Sequence, residues 1–457
     1  MLVSAPLVTG RFAGPCGNPP AGRGVTGDMR PTARRMPLAH LRLVPLLAAA
    51  PLVALAACGG PGLAEEVRAD TPRQAVGVDD VASVADAVRA TDRLGLGLLA
   101  LGEEPNAVTS PASAAVALAM LAEGAGGTTA KELDALLGAS GEARGAAYNA
   151  LTAQLAPLAG DPAVVQDDEL PETPVVHLAN AVVLDDRARV HEAYLERLAA
   201  SFDAGVRTTD LGSGEAKEVL DAWVRENTGG LVEESAIRPD PDLRLVLQNA
   251  VVVAAAWTQP FIEAPELSFT LPDGSEVEVE AMQVELHPRY VEVSGWRAVR
   301  LPYRGGDLYA DVILPPAGSQ PADLDAELLE QLIGGLRTAP DSRPVHVTMP
   351  KVDTRTTTEL LPFLEQQVPS VVAVETADLS GISEEPLFVG QAVQQATLTI
   401  DENGTIAAAV TELGMMAGSA PEPTEPVELV VDRPFLFRIG EGRTDWTLFL
   451  ARIGDPR

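Results

Sequence analysis

The sequence predicts an α+β fold organised as one large domain. Two long apolar runs, Val175–Leu184 and Leu243–Ala256, lack the alternation of a half-exposed strand and read as strands covered on both faces. Helical apolar spacing recurs from Val78 to Leu137 and again between the two runs. After Phe261 the pattern changes to short strands punctuated by Pro272-Asp-Gly274 and Arg304-Gly-Gly306. Helices and strands thus mix without strict βαβ alternation, which argues for an α+β single domain.

The N-terminus reads as an address. Arg34-Arg35, His40 and Arg42 lead into the apolar run Leu43–Ala57, and Cys58-Gly59-Gly60 follows. A basic region, an apolar stretch and small residues before a cleavage point make a secretory signal. Leu55-Ala56-Ala57-Cys58 resembles the bacterial lipobox, which implies lipidation of Cys58; an ordinary signal peptide with an incidental cysteine is the alternative. Prolines interrupt the run, so a transmembrane helix is disfavoured. Initiation at Met29 or Met36 would suit this signal better than Met1. The division expected is residues 1–57 as upstream region and signal, 58–77 as a tether, and 78–457 as a single domain. The location expected is extracytoplasmic, as a cell-surface lipoprotein or a secreted protein. Cys16 lies upstream of the cleavage point, so the mature chain has no internal disulfide and depends on packing.

Along the domain, Val78–Leu101 has helical spacing, and Asn106–Pro111 is a short strand running into a turn. Ser113 is a candidate cap for the alanine-rich helix that ends near Glu123. Thr129–Leu137 is a further helix closed by Gly138, residues 159–174 are acidic and loop-like, and helices fall near His191–Ala200 and Glu215–Thr228.

Composition bounds the function. Hydrophobic residues make up 46% of the 457, which is ample for a large core. With 65 acidic against 33 basic residues the net charge is -32, and no Lys/Arg block reverses it locally. Such a surface repels nucleic acid, and no heparin-like cofactor is expected. No Gly-x-Ser-x-Gly, His-Glu-x-x-His, Ser-x-x-Lys or Cys-x-x-Cys motif occurs. His177, His191, His287 and His346 are scattered without ligand spacing, so no metal, cofactor or catalytic residue is expected.

The most informative stretch is Ile400-Asp-Glu-Asn-Gly-Thr-Ile-Ala-Ala-Ala-Val-Thr411, which follows the strand-like Ala396–Ile400 and precedes a long polar segment reaching Asp432. A connection of that length inside a domain is uncommon and points to function or disorder. From Thr405, alternate residues are Thr405, Ala407, Ala409, Thr411, Leu413 and Met415, a period-two face of small and then apolar side chains. The segment has the pattern of a strand although it lies in a loop.

Several motifs, in order, resemble the serpin family over most of residues 78–457. Asn106-Ala-Val-Thr-Ser-Pro-Ala-Ser113 is similar to the family's Asn-x-x-x-Ser-Pro-x-Ser, and Ala119-Met-Leu121 follows on the next helix. Ala179-Asn-Ala181, Asp221-Ala-Trp-Val-Arg-Glu-Asn-Thr-Gly-Gly230 and Leu247-Gln-Asn249 through Trp257-Thr-Gln-Pro-Phe261 come next. Leu301-Pro-Tyr303, Leu379-Ser-Gly-Ile382, the hinge at Gly404-Thr405 and Asp432-Arg-Pro-Phe435 complete the series. The resemblance implies three β-sheets, about eight or nine helices and an exposed reactive-centre loop, with a five-stranded main sheet that opens to take the loop as an added strand, the family's known example of stored strain.

What the resemblance implies for sites is specific. The hinge comprises Glu402, Gly404, Thr405, Ala407, Ala408 and Ala409, with Gly404 expected to permit the bend. Family spacing puts the cleavable bond at Gly418–Ser419, and Met415, Met416 and Ala417 are alternatives if the register slips. Ser110, Ser113, Asn249 and Gln394 match polar residues beneath the point where the sheet opens, with Gln394 replacing the usual histidine; Trp257 matches a tryptophan beneath the insertion mouth. Satisfied core polar residues and plain packing are the bland readings of these positions. The partner implied is a target serine protease held as a covalent acyl complex by a monomer, with membrane contact only through a lipid anchor. The rival reading is a non-inhibitory serpin that acts as a binding or scaffold protein.

Overall fold

Leu245–Ala256 is the strand around which the molecule is organised, and all 12 of its residues are buried. Its odd positions (Leu245, Leu247, Val251, Val253, Ala255) join the main core, whereas Val246 and Ala250 join a second cluster with Leu220, Trp223 and Val393. A strand covered on both faces needs apolar residues at every position, which explains the missing alternation. The structure, a computed structural model, describes residues 66–167, 169–341, 343–405 and 426–457.

In chain order the first half contains β1 (Glu66–Val67), α1 (Val84–Leu99), β2 (Ala107–Thr109), α2 (Pro111–Ala122), α3 (Gly127–Leu137) and α4 (Gly141–Gln154). Then come β3 (Val175–Asp185), α5 (Glu192–Phe202), β4 (Val206–Thr209), α6 (Gly214–Asn227) and β5 (Leu245–Ala256). The second half begins with β6 (Ile262–Thr270), β7 (Glu276–Leu286), β8 (Arg289–Val293), β9 (Trp296–Pro302), β10 (Leu308–Leu314) and α7 (Ala326–Thr338). It ends with β11 (Val345–Pro350), β12 (Val352–Glu359), α8 (Leu361–Gln367), β13 (Val389–Ile400), β14 (Gly404–Thr405), β15 (Val427–Val430), β16 (Phe435–Glu441) and β17 (Thr447–Ile453).

Three sheets form, as the family resemblance implies. The main sheet has the order β1-β4-β3-β5-β14-β13-β12, the second β2-β17-β16-β10-β9-β8, and the third β15-β11-β7-β6. The main sheet exceeds the expected five strands because two short pieces join it, β1 at the edge and β14 between β5 and β13. Every residue of the Ala-rich α2 is buried, and small side chains let it pack against β3 and β5 on one side and β17 on the other. Ser110, not Ser113, caps it. The Ser110 hydroxyl accepts from the Ser113 amide at 3.2 Å, and Pro111 fills the first helical position, where a missing N–H costs nothing.

Other expectations need adjustment at their ends. The helix anticipated from Val78 begins at Val84, after a short 3-10 turn at Val78–Asp80. A second 3-10 turn, Pro162–Gln166, interrupts the expected acidic loop. The tether expected over 58–77 is folded from Glu66 onward, since β1 pairs with β4 through Val67 and Val206, and the Gln74 amide donates to the Ala200 carbonyl at 2.8 Å. A polar composition hid this, because the segment docks by backbone pairing rather than by apolar surface. The signal, Cys58 and Cys16 lie outside the described residues.

The second sheet is tied internally by a buried ionic cluster. Arg300 grips Asp311 with two bonds, at 2.7 and 2.9 Å, and Arg438 reaches the same carboxylate at 2.7 Å. Asp445 accepts from Arg300 at 2.9 Å, and the Arg300 guanidinium lies 3.4 Å above the Tyr309 ring. Asp92 of α1 touches the edge of this cluster through Thr447. Burial pushes its carboxyl up to about 6, against the opposing pull of Arg438 and Thr447. Since that lies above the ordinary 3.8, the native state binds the proton more tightly than the unfolded chain does. The associated stabilisation is complete below about pH 4 and is lost as pH rises through about 6. Asp92→Asn removes the titration, so its stability relative to wild type should rise by about 3 kcal/mol between about pH 4 and pH 7. Urea midpoints across that range check this, and a flat difference would contradict it.

Candidate functional site

The chain leaves β13 at Ile400, turns through Asp401-Glu402-Asn403, and re-enters the same sheet as β14. The turn is set locally: the Asp401 carboxylate accepts from the amides of Asn403 at 2.8 Å and Gly404 at 3.1 Å. Burial raises the Asp401 carboxyl above its ordinary value, and those two amides pull the other way. Backbone bonds fix the turn to the end of β5, since Trp257 N–H donates to Asn403 O and Phe261 N–H to Glu402 O, both at 2.8 Å. Glu402 is held by Lys351 at 2.8 Å.

β14 runs antiparallel to both neighbours, with Gly404 opposite Ala256, Thr405 opposite Ala255, and Ile400 opposite Thr405. Gly404 is required here by close approach and not by left-handed backbone. A Cβ at this position would lie 2.1 Å from the Ala255 carbonyl oxygen. Thr405 is 1% exposed, and its hydroxyl bonds the Tyr303 phenol, whose burial raises its ionisation well above the usual range. Tyr303 stacks on Trp257 at 4.4 Å with planes 8° apart, and the Trp257 indole N–H donates to the Asp401 carbonyl at 3.0 Å. Trp257 therefore lies against the hinge turn, while Tyr303 was known only as part of a motif and carried no assigned role.

Below this mouth the sheet is part open and part closed. β5 and β13 pair directly and in parallel from Leu245/Val389 to Ala250/Gln395. Among the described residues, no pairing joins Val251–Ala254 to Ala396–Thr399. A short seam thus separates the two-residue wedge from the zipped lower half.

Gln394 sits at the upper end of that zipped half. Its carbonyl accepts from the Ser110 amide at 2.8 Å and the Thr109 hydroxyl at 2.7 Å. Its NH₂ donates to Asn249 Oδ1 at 2.6 Å and to the Ser110 carbonyl at 3.0 Å. All four capacities of the amide are used, and none of them titrates. Asn249 donates in turn to the Ser113 carbonyl at 3.2 Å and to Asn180, which also accepts from the Ser113 hydroxyl at 3.1 Å. Ser110 donates its hydroxyl to the Leu448 carbonyl at 2.6 Å. Ser110, Ser113, Asn249 and Gln394 are thus brought together as one network joining β5 and β13 to the start of α2. The sequence missed Thr109 and Asn180 as members, although Asn180 stood in a quoted motif. Its position opposite Asn249 on β3 follows only from strand register. Ala407, Ala408, Ala409, Met415, Met416, Ala417, Gly418 and Ser419 lie outside the described residues.

Two substitutions separate the mouth from the network. Gly404→Ala should expel β14 from the sheet, seen as faster hydrogen exchange over residues 401–405 while β3 stays protected; unchanged exchange would contradict the close approach. Gln394→Met leaves buried partners unsatisfied and should cost about 3 kcal/mol in urea unfolding, whereas a loss under about 1 kcal/mol would show that the network is wet.

Comparison with known proteins agrees with this geometry. A model of the family described as "Serpin (serine protease inhibitor)" matches residues 96–456. Iripin-2 of Ixodes ricinus is 30% identical over 81% of this chain and 93% of its own, and Homo sapiens neuroserpin is 27% identical over 79% and 88%. Among solved structures, the thermophilic serpin tengpin in its native state superposes with a TM-score of 0.73, covering 86% of this chain and all of the other at 21% identity. A family match over that length, around a hinge and network in family order, makes this chain a member of the serpin family, and protease inhibition the general function of its kind.

Proposed function

We propose that the protein is an irreversible, loop-inserting inhibitor of serine endopeptidases with elastase-, subtilisin- or chymotrypsin-like specificity. The observation that carries this reading is β14, which already lies between β5 and β13, antiparallel to both. A chain continuing from Thr405 in that direction would run down the seam where the described residues of β5 and β13 do not pair. Its next inward residues on the period-two pattern, Ala407 and Ala409, are small, and neither a charge nor a proline falls within 405–411.

In this reading the target's catalytic serine oxygen attacks the Gly418 carbonyl. The Gly418–Ser419 amide bond breaks, Ser419 leaves as the amine with the transferred proton, and Gly418 remains esterified to the protease. Insertion of the freed segment then carries the ester across the sheet and distorts the protease before water can attack. No residue of this chain is catalytic. Met415 to Ser419 offer small or unbranched side chains, and the segment 406–425 contains no Arg or Lys, which disfavours trypsin-like targets. The N-terminal pattern adds that the inhibitor acts outside the cytoplasm, as a lipoprotein tethered through Cys58 or as a secreted protein.

Incubation with pancreatic elastase and with subtilisin tests this. The expected result is an SDS-stable adduct, release of a fragment beginning at Ser419 by mass spectrometry, and a large rise in melting temperature of the cleaved protein. A nicked protein that melts no later than the intact one, with the protease released active, would overturn the inhibitor reading and favour a binding protein. Thr405→Arg would need a cation in a site that is 1% exposed, so it should reduce the trapped fraction at least about tenfold while cleavage continues.

A further inference from the structure

The turn before β14 contains the one Asn-Gly pair of the chain, Asn403-Gly404; every other asparagine precedes alanine, threonine or proline. An asparagine before glycine is the pair most prone to lose its side-chain amide, because glycine has no Cβ to shield its nitrogen. In that reaction the Gly404 nitrogen attacks Asn403 Cγ. Gly404 must give up its N–H proton, and the Asn403 NH₂ must leave. One carboxylate holds both of these groups. Asp401 Oδ1 accepts from the Gly404 N–H at 3.1 Å and from the Asn403 N–H at 2.8 Å. The Asn403 side-chain amide bonds the same carboxylate, to which it can only donate. The two carbonyls of the pair are also held: Asn403 O accepts from the Trp257 N–H at 2.8 Å, and Gly404 O from the Asp401 N–H at 3.1 Å.

These bonds cage the reaction. Ring closure needs the Gly404 nitrogen to bend towards Cγ, whereas pairing with Ala256 fixes the Gly404 peptide in the sheet. An N–H committed to a carboxylate is also a poor nucleophile, and a held NH₂ is a poor leaving group. The cage is nevertheless small, since one side chain and a two-residue strand close it. Native proteins open locally at such places, and each opening leaves the pair as reactive as in an unfolded chain.

We propose that Asn403-Gly404 is a modification site at which spontaneous deamidation makes opening of the hinge turn irreversible. When the turn opens, the Gly404 nitrogen bonds to Asn403 Cγ, the Cγ–NH₂ bond breaks, and ammonia leaves with the proton that Gly404 gave up. Water then opens the cyclic imide at either carbonyl, leaving aspartate or isoaspartate at position 403. No other reactant is needed. Aspartate exchanges a donor to Asp401 for a second carboxylate, next to a third on Glu402. Isoaspartate routes the main chain through the former side chain, which lengthens it before Gly404 and turns the carbonyl held by Trp257 into a carboxylate. Either product keeps the turn from re-forming, and β14 stays out of the sheet. The loss of β14 would also lower trapping under the insertion reading, but the chemistry stands without that reading.

The test ages the full chain beside a synthetic peptide of residues 399–408 at mildly alkaline pH. Peptide mapping by mass spectrometry reads the conversion of Asn403, and isoaspartyl methyltransferase labels the isoaspartate. Wild type should convert more slowly than the peptide. The slowing should match, within about threefold, that of hydrogen exchange at the Gly404 amide, since both reactions pass through the open turn. Asp401→Ala removes the cage and should convert at least about tenfold faster than wild type. Asn403→Gln, which would have to close a larger ring, should not convert. In aged wild type the modified fraction should have lost the exchange protection of Thr405. Conversion of wild type at the rate of the peptide, a slowing unequal to that of exchange, or no acceleration in Asp401→Ala overturns the cage. No conversion in either protein while the peptide converts overturns the site. Modified protein that keeps Thr405 protected overturns the irreversible opening. None of these readouts uses a protease, so they stand or fall apart from the inhibitor reading.

Discussion

Gly404 and Thr405 stand between β5 and β13 at the upper end of the main sheet, and the same two strands are joined directly lower down. That arrangement stores a choice. A strand added to the sheet gains hydrogen bonds worth about 0.5–1.5 kcal/mol each, while ordering it costs about 1–2 kcal/mol per residue. Terms so nearly balanced leave the outcome to side chains, and the ones at the mouth are specific. The Ala255 carbonyl demands glycine at 404, and the Tyr303 hydroxyl rewards threonine at 405. Trp257 and Tyr303 form a stacked floor that holds the turn above them.

Neutral amides do most of the holding beneath that mouth. Gln394 uses all of its hydrogen-bonding capacity on Ser110, Thr109 and Asn249, and Asn180 extends the chain to β3. A network of amides and hydroxyls is directional, so it breaks cooperatively, and it carries no charge that pH could switch. A buried ionic cluster lies in the second sheet, where Arg300 and Arg438 share Asp311. Such a cluster suits a part that stays rigid, since separating buried ions is far more costly than exchanging an amide for water.

The N-terminal segment contributes at the far edge of the same sheet. β1 covers β4, and Arg73 reaches the Thr152 hydroxyl of α4 at 2.7 Å, so the edge strand is not left as an open template.

Much of this was legible from the residues. The buried strands β3 and β5, the helices α3, α5 and α6, the turns at Gly274 and Gly305-Gly306, and the hinge motif are all local patterns in which composition and period agree. They follow from helix and strand geometry, which the chain carries within a few residues. What the tertiary structure decided depends on contacts between residues far apart in sequence. It made Ser110 rather than Ser113 the cap, folded the expected tether from Glu66, and seated Thr405 inside the sheet. It also brought Tyr303 to Thr405, Asn180 to Asn249, and Gln391 and Gln395 to the connection before β5. A glutamine has no periodic signature of its own, and whether it clasps a backbone or faces water is settled only when another segment passes within 3 Å of it.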